Sequence, residues 1–368
     1  MKFTVMRSDI VTAVQNVSRA VSTKATLPAL EGILIKAYNN TLTMSGYDME
    51  LAITTSIDAT VTNEGEIVVG AKLFSEIVRK LPEEIVTVET DERMIIYINS
   101  GNAAYQIVGI SSMEYPEMPK FDSLDEIRIS AGLLKNMIKQ TIYAVSDNIN
   151  KPIYTGSLFE VKDKVMRIVS IDGYRMAIRQ ENIESESDNR FIVPGKMQSE
   201  ILKLITDDEK EIEICIGQRH VSFTVDNYSI VSRLIEGNFL DYRTTIPKNE
   251  DTVIRINTRE LINSVDRIAL ITSDRVQSPV RFSITQDEIK LSCRTAVGRA
   301  NDVIPVSTIG KDTEIGFNNK YVLEALRNTE CDEVKLILNG SLSPMVIRPV
   351  QGEEFIFLVV PMRLNDEI

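Results

Sequence analysis

The stretch Ile127-Arg128-Ile129-Ser130-Ala131-Gly132-Leu133-Leu134-Lys135-Asn136-Met137-Ile138-Lys139-Gln140-Thr141-Ile142-Tyr143-Ala144-Val145 opens as a short alternating strand and turns into a helix whose apolar positions are Leu134, Ile138, Thr141 and Val145. Steps of four, three and four keep such residues on one helical face. The same change of period occurs twice more, about 124 to 127 residues away on either side. Phe3-Thr4-Val5 precedes Ile10, Val14, Val17 and Val21, and Ile254-Arg255-Ile256 precedes Leu261, Val265, Ile268 and Thr272. The opposite face is polar in each copy: Thr12, Gln15, Asn16 and Arg19; Asn136, Lys139 and Gln140; Asn263, Asp266 and Arg267. A repeat of this length is a domain-sized unit used three times.

Each copy continues in the same order. Lys72, Lys196 and Lys320 each follow a turn, and four residues later come Glu76, Glu200 and Glu324, the spacing of a helix-surface ion pair. A second helix is expected there. Between the two helices lie alternating runs such as Gly32-Ile33-Leu34-Ile35-Lys36, Gly156-Ser157-Leu158-Phe159-Glu160-Val161 and Val280-Arg281-Phe282-Ser283-Ile284. They read as antiparallel strands, as do Ile85 to Val88, Ile212 to Ile214 and Val334 to Leu338 beyond the second helices. Linkers fall near Met113 to Pro119 and from Leu240 to Asp251. The expected architecture is α+β: three domains of one fold, 1–121, 122–250 and 251–368, each with two helices packed on antiparallel sheet.

Composition narrows the function classes. Cys215, Cys293 and Cys331 are isolated and lack metal-ligand spacing, so they read as packed thiols. The only histidine, His220, lies where a turn enters a strand, which gives a catalytic triad or a metal site little to build on. No phosphate-binding glycine loop, dinucleotide fingerprint or nucleophile elbow is present. These absences point away from an enzyme and from any cofactor or metal. The chain has no apolar run of about 18 residues and opens directly into strand-like sequence, so a cytoplasmic protein is expected.

The net charge of −12 is unevenly spread. Stretches 7–19, 72–80, 132–146, 196–203, 259–273 and 320–327, which hold the candidate helices, carry +7 in total, leaving −19 for the rest of a chain of −12. Weakly basic helices in an acidic chain suit loose contact with a polyanion and discourage binding elsewhere. Trp is absent and the helix faces have few rings, which favours duplex backbone contact over stacking on single strands.

Specific strings carry a family likeness: Met1-Lys2-Phe3-Thr4-Val5, Thr26-Leu27-Pro28-Ala29-Leu30, Asp172-Gly173-Tyr174-Arg175-Met176-Ala177, Phe239-Leu240-Asp241-Tyr242-Arg243 and Val360-Pro361-Met362-Arg363-Leu364. In order and position they resemble the bacterial DNA sliding clamps, the beta subunits of DNA polymerase III, over essentially the whole chain. The resemblance implies a ring-shaped, head-to-tail homodimer of six domains that encircles duplex DNA irrespective of its sequence and tethers polymerase, clamp loader and repair proteins. Twelve helices of about 10 Å width side by side would leave a lumen of about 28 Å.

It further implies a peptide-binding cleft for short Gln-, Leu- and Phe-containing client tails. The matching positions are Tyr154, Ile171, Gly173, Tyr174, Arg175, Met176, Leu240, Asn318, Tyr321, Pro344, Val359, Val360, Pro361, Met362 and Arg363. Leu240 stands where the family has a cleft proline and Thr244 where an arginine is common, so the peptide preference stays open. Lys24 and Asn148 match family DNA contacts. Helix placement adds Arg79, Lys80, Lys135, Lys139, Lys151, Lys196, Lys203 and Arg267 as DNA-facing. Two other readings fit the repeat: a peptide-binding adaptor that never meets DNA, and an enzyme with an unrecognised site.

Overall fold

Alternating strands bury one face and leave the other to solvent or to a covering layer, and that alternation organises most of this chain. The computed structural model describes residues 1–119, 123–185, 187–272 and 278–364. The chain forms two units, Met1–Leu133 with Lys196–Leu234, and Leu134–Gly195 with Ile235–Ile368. Among the described residues there are six α-helices: α1 Arg7–Val17, α2 Ala71–Lys80, α3 Ala131–Ile142, α4 Gly195–Leu204, α5 Thr258–Ala269 and α6 Asn319–Arg327.

In the first unit an eight-stranded sheet runs in the order Asp125–Ser130, Glu211–Ile216, His220–Val225, Tyr228–Arg233, Leu51–Asp58, Thr41–Tyr47, Gly32–Tyr38, Gly65–Gly70. The first four strands come from the second repeat and the last four from the first. Their seam is the antiparallel pair Tyr228–Arg233 with Leu51–Asp58, where Tyr228 faces Thr55 and Ser232 faces Leu51. A five-stranded sheet, Thr60–Asn63, Lys2–Met6, Ile85–Thr90, Ile95–Ser100, Ala103–Val108, completes the unit and leaves Ala103–Val108 as an edge.

The second unit repeats the plan. Its nine-stranded sheet runs Asn189–Pro194, Gly156–Lys162, Val165–Ile171, Arg175–Asn182, Phe355–Val359, Met345–Pro349, Glu333–Leu338, Thr252–Asn257, Ser307–Gly310. The seam between second and third repeats has Arg179 facing Phe355 and Arg175 facing Val359. The remaining sheet, Arg299–Pro305, Glu288–Arg294, Val280–Ile284, Thr313–Phe317, leaves Arg299–Pro305 as an edge. The two units cut across the three sequence repeats because each seam joins strands of successive repeats into one hydrogen-bonded sheet.

The helices bury the stripes that the spacing indicates: Ile10, Val14 and Val17 in α1, Leu134, Ile138 and Thr141 around α3, Leu261, Val265 and Ile268 in α5. The fourth expected position differs. Val21, Val145 and Thr272 all lie beyond the ends of their helices. Hydroxyls near these ends bond back to the helix, Ser18 to the Val14 carbonyl at 2.6 Å and Thr141 to that of Met137 at 2.8 Å. Such back-bonding competes with continuing the helix. Gln140, expected on the polar face of α3, is instead buried and donates to the Thr329 carbonyl at 3.4 Å.

The Lys-to-Glu pairs expected along the second helices are replaced in the second and third copies. Lys196 pairs with Asp48 instead, Glu200 accepts from Lys203 and lies 3.8 Å from Arg19, and Glu324 is paired with Arg175. Apart from Glu200 with Lys203 on α4, these charges join a helix to other elements of its unit.

Candidate functional site

One turn recurs in all three repeats and places the site. Asp48 Oδ1 accepts from the N–H groups of Glu50 and Leu51 at 3.1 and 2.8 Å, and Asp172 Oδ1 from those of Tyr174 and Arg175 at 2.8 and 3.0 Å. Thr295 Oγ1 accepts from Val297 N–H at 3.2 Å in the third copy. A short polar side chain bonding forward two residues is what such turns use. In the middle copy Gly173 has φ +97°, a conformation only glycine adopts at no steric cost, and the next residue, Tyr174, stands exposed.

Arg175 follows and anchors the surroundings. Its Nε donates to Asp172 at 2.8 Å, its Nη1 pairs with Glu324 of α6, and its guanidinium lies over the rings of Tyr321 and Tyr143 at 4.8 and 5.4 Å. A mostly buried arginine with two carboxylates and two rings is a fastener held in one geometry. Burial pushes the Tyr143 and Tyr321 hydroxyls upward in pKa, so both rings stay neutral.

The chain end is stitched to the same place. Val359 faces Arg175 across the seam, Val360 N–H donates to the Tyr174 carbonyl at 2.8 Å, and Met362 N–H donates to the Gly316 carbonyl at 2.8 Å. The structure thus brings Tyr174, Arg175, Tyr321, Val359, Val360 and Met362 together, with Pro361 between the last two and Pro344 entering the strand that places Met345 opposite Val359. Ile171 and Met176 belong to an apolar cluster with Leu158, Phe239, Tyr242, Val346 and Leu358, and Tyr154 meets Phe239 edge-on at 5.7 Å. Leu240 is 41% exposed beside that cluster's Phe239. Asn318 acts on the helix itself, where its side chain caps α6 by accepting from Lys320 N–H at 2.9 Å. Arg363 is exposed. Sequence reading did not pick out Glu324 as a partner of Arg175, Tyr143 beneath it, or Gly316 under the tail; only the recurring glutamate left a trace.

The residues expected to face DNA are all solvent-accessible, and several carry partners. Lys139 pairs with Glu330, Lys196 with Asp48, Lys203 with Glu200 at 2.8 Å, and Arg267 Nε with Asp302 at 2.8 Å. Burial raises the Asp302 carboxyl, but bonds from Ser264 and Arg267 outweigh it and hold it below the usual range. Arg79 Nε bonds the Ser75 carbonyl at 3.1 Å, and Lys24, Lys80 and Lys151 are exposed. Lys135 is half-buried in α3. Asn148 Oδ1 accepts from Asn150 N–H at 3.0 Å, which shapes the loop before Lys151.

Elsewhere, Glu126, Glu213 and Cys215 bring three ligand-type atoms within 4.8 Å of one another. Their cation is Arg128, 2.7 Å from Glu126 and 3.5 Å from Glu213. Burial and Glu213 push the Cys215 thiol up, away from the thiolate a metal would want. His220 begins its strand beside Arg219 and Arg233; burial, then those charges, lower its pKa. Among the described residues no helix is long and apolar enough to cross a membrane.

Three repeats of one α+β unit, joined in succession through continuous sheets, define a clamp-type fold. The chain belongs to the DNA polymerase III beta subunit family: its N-terminal, central and C-terminal domain models match residues 1–119, 128–241 and 243–363. The chain is 32% identical to the beta sliding clamp of Bacillus subtilis over 376 residues, covering 99% of this chain and 100% of that one. The crystal structure of the DNA polymerase sliding clamp from Bacillus subtilis superposes with a TM-score of 0.97 at 31% identity, covering 99% and 100% of the two chains. A putative DNA polymerase III beta subunit from Eubacterium rectale gives 0.95 at 36% identity, covering 98% and 99%.

Proposed function

We propose that two copies of this chain close head-to-tail into a ring around duplex DNA, and that the cleft around Tyr174 and Met362 tethers the replicative polymerase and other clients to it in the cytoplasm. The protein is a processivity factor without catalytic chemistry of its own. The observation that carries the reading is the shared register of the two internal seams. In each, the strand after a four-residue turn pairs with the last strand of the next repeat, and one step of this pattern remains unused at each end of the chain.

Transferring that register to two of the sheet edges pairs Ala103–Val108 of one copy with Arg299–Pro305 of another, with Tyr105 opposite Ala300 and Ile107 opposite Gly298. The stacked pair Tyr174 and Tyr321 at the internal seam corresponds to Val297 and Leu73 at this third one, by their places after the turn and in the helix. Both are exposed apolar residues in the single chain, 86% and 51%, as are Tyr105 and Val303 beside the edges. Unpaired edges with apolar flanks favour pairing with another chain. A heterologous contact that closes after a fixed rotation gives a finite ring.

The test is retention on DNA. The protein should sediment at about twice 41.4 kDa, and once loaded by its clamp loader it should stay on circular duplex and run off when the circle is cut. Equal loss from circular and linear DNA would favour the adaptor reading.

A further inference from the structure

We propose that the client cleft is flanked by a basic receptor built on Lys248, Lys335 and Arg348, which takes acidic residues flanking the apolar motif of a client tail. This rests on the cleft reading above and adds the charge of the partner to it.

One apolar row, buried beneath Phe239, Tyr242 and Ile246, crosses five strands of the sheet and sets the spacing between the cleft and the cations. Met176 faces Leu358, Leu358 faces Val346, Val346 faces Ile337, and Ile337 faces Val253. Strands lie about 4.8 Å apart, so Val346 is about 10 Å from Met176, a distance that about three extended residues span. At that point the row opens into a cavity of about 310 Å³ lined by Val346, Ile337, Ile246, Arg243, Lys248 and Arg348. A second row lies two residues further along, on the same sheet face, and it is cationic: Arg348 faces Lys335, and Lys335 faces Arg255.

Like charges directly opposite across strands destabilise a sheet, so such a ladder needs a counter-charge. Arg255 has one in Glu333, at 3.0 Å from its Nε, and Arg243 is bonded to Glu160. Among the described residues Lys335, Arg348 and Lys248 have no carboxylate partner, and Arg348 Nε is buried without a hydrogen bond. The cavity's own acidic residue is Glu250, on the exposed linker. In a chain of net charge −12, an unneutralised basic band beside an apolar row complements a segment with alternating demands: an apolar anchor, then carboxylates about three residues away. A nucleic acid fits less well, because the floor between the cations is apolar and offers phosphates nothing.

The experiment titrates three labelled peptides against the intact protein: the apolar motif with neutral flanks, with three acidic residues before it, and with three after it. One acidic peptide should bind about fivefold more tightly than the neutral one at low salt, the scale of two or three exposed charge pairs. Lys335→Gln with Arg348→Gln should erase that gain, leave the neutral peptide's affinity unchanged and leave the thermal midpoint no lower. Lys248→Gln, on the exposed linker, should remove part of the gain by itself. No binding of the neutral peptide would remove the cleft reading and this proposal with it. Neutral binding with no acidic gain, or a gain that survives in the variants, overturns the basic receptor alone. So does a single-stranded oligonucleotide that outcompetes the acidic peptides and is lost with the same substitutions.

Discussion

The rings of Tyr174 and Tyr321 stack with centroids 5.9 Å apart and planes 16° from parallel. Tyr174 is 61% exposed, so one face of this pair is open to a ligand. Tyr321 is fixed from below by the Arg175 guanidinium, itself held by Asp172 and Glu324. A rigid aromatic platform next to a flexible thioether suits varied apolar side chains at small entropic cost.

Truncating that platform should therefore weaken client binding without loosening the fold. Tyr174→Ala and Met362→Ala should each cost about 1–2 kcal/mol of affinity for a polymerase tail, less than additively if both touch one residue. Peptide titration with parallel mass and thermal unfolding measurements reads both effects. Wild-type affinity in a folded double variant would move the client site elsewhere.

Gly316 should matter as much, through close approach alone. A Cβ there would lie 2.6 Å from Leu364 Cδ2 and 3.0 Å from the Met362 carbonyl oxygen. Gly316→Ala is expected to displace the Val360 to Leu364 tail and lower peptide affinity several-fold, with a stability loss of about 1–3 kcal/mol from overpacking. Unchanged affinity would show that the tail's seat on Gly316 does not set the position of Met362.

The sequence made the repeat legible because period is a local property: three stripes of Ile, Leu and Val at helical spacing sit where the helices bury them. The seams were not legible, since which strand pairs with Leu51–Asp58 depends on a partner more than 170 residues away. The residues around Tyr174 and Met362 were expected to share a site on family likeness alone, and the chemistry that holds them was missed. Glu324 read as a helix-surface charge, and its meeting with Arg175 spans 149 positions. Gln140 shows the converse, a polar residue at a surface period whose burial is decided by a carbonyl 189 positions away.

Acid should loosen the linker turn at Tyr242–Thr245. Buried Glu160 accepts from the Tyr242 hydroxyl at 2.7 Å and from Arg243; burial pushes its carboxyl up, but these bonds outweigh it and hold the pKa below the usual range. With the folded value depressed, the stabilisation is complete above the unfolded value, about 4.3, and is lost as pH falls through the folded one. The gap in denaturant midpoint between the wild type and Glu160→Gln should accordingly narrow from about pH 6 to about pH 3. A constant gap over that range would mean that Glu160 is not the titrating group.

Ring closure can be separated from all of this at the edges Ala103–Val108 and Arg299–Pro305. Leu73 on α2 and Tyr105 on the edge strand Ala103–Val108 are exposed in the single chain and lie outside the cleft and the basic band. Replacing either with aspartate puts a charge where the transferred register expects an apolar contact with Val297 or with the strand around Ala300. An unpaired charge in a contact core costs several kcal/mol, so the dimer constant should weaken by about 100-fold or more. The fold should be untouched, because in the isolated chain both side chains face solvent. Sedimentation should then show folded protein of 41.4 kDa at concentrations where the wild type is dimeric, with peptide affinity retained and retention on circular DNA lost. A variant that remains dimeric with full DNA retention would put the closing contact on other surfaces, and the register carried over from the internal seams would have to be abandoned.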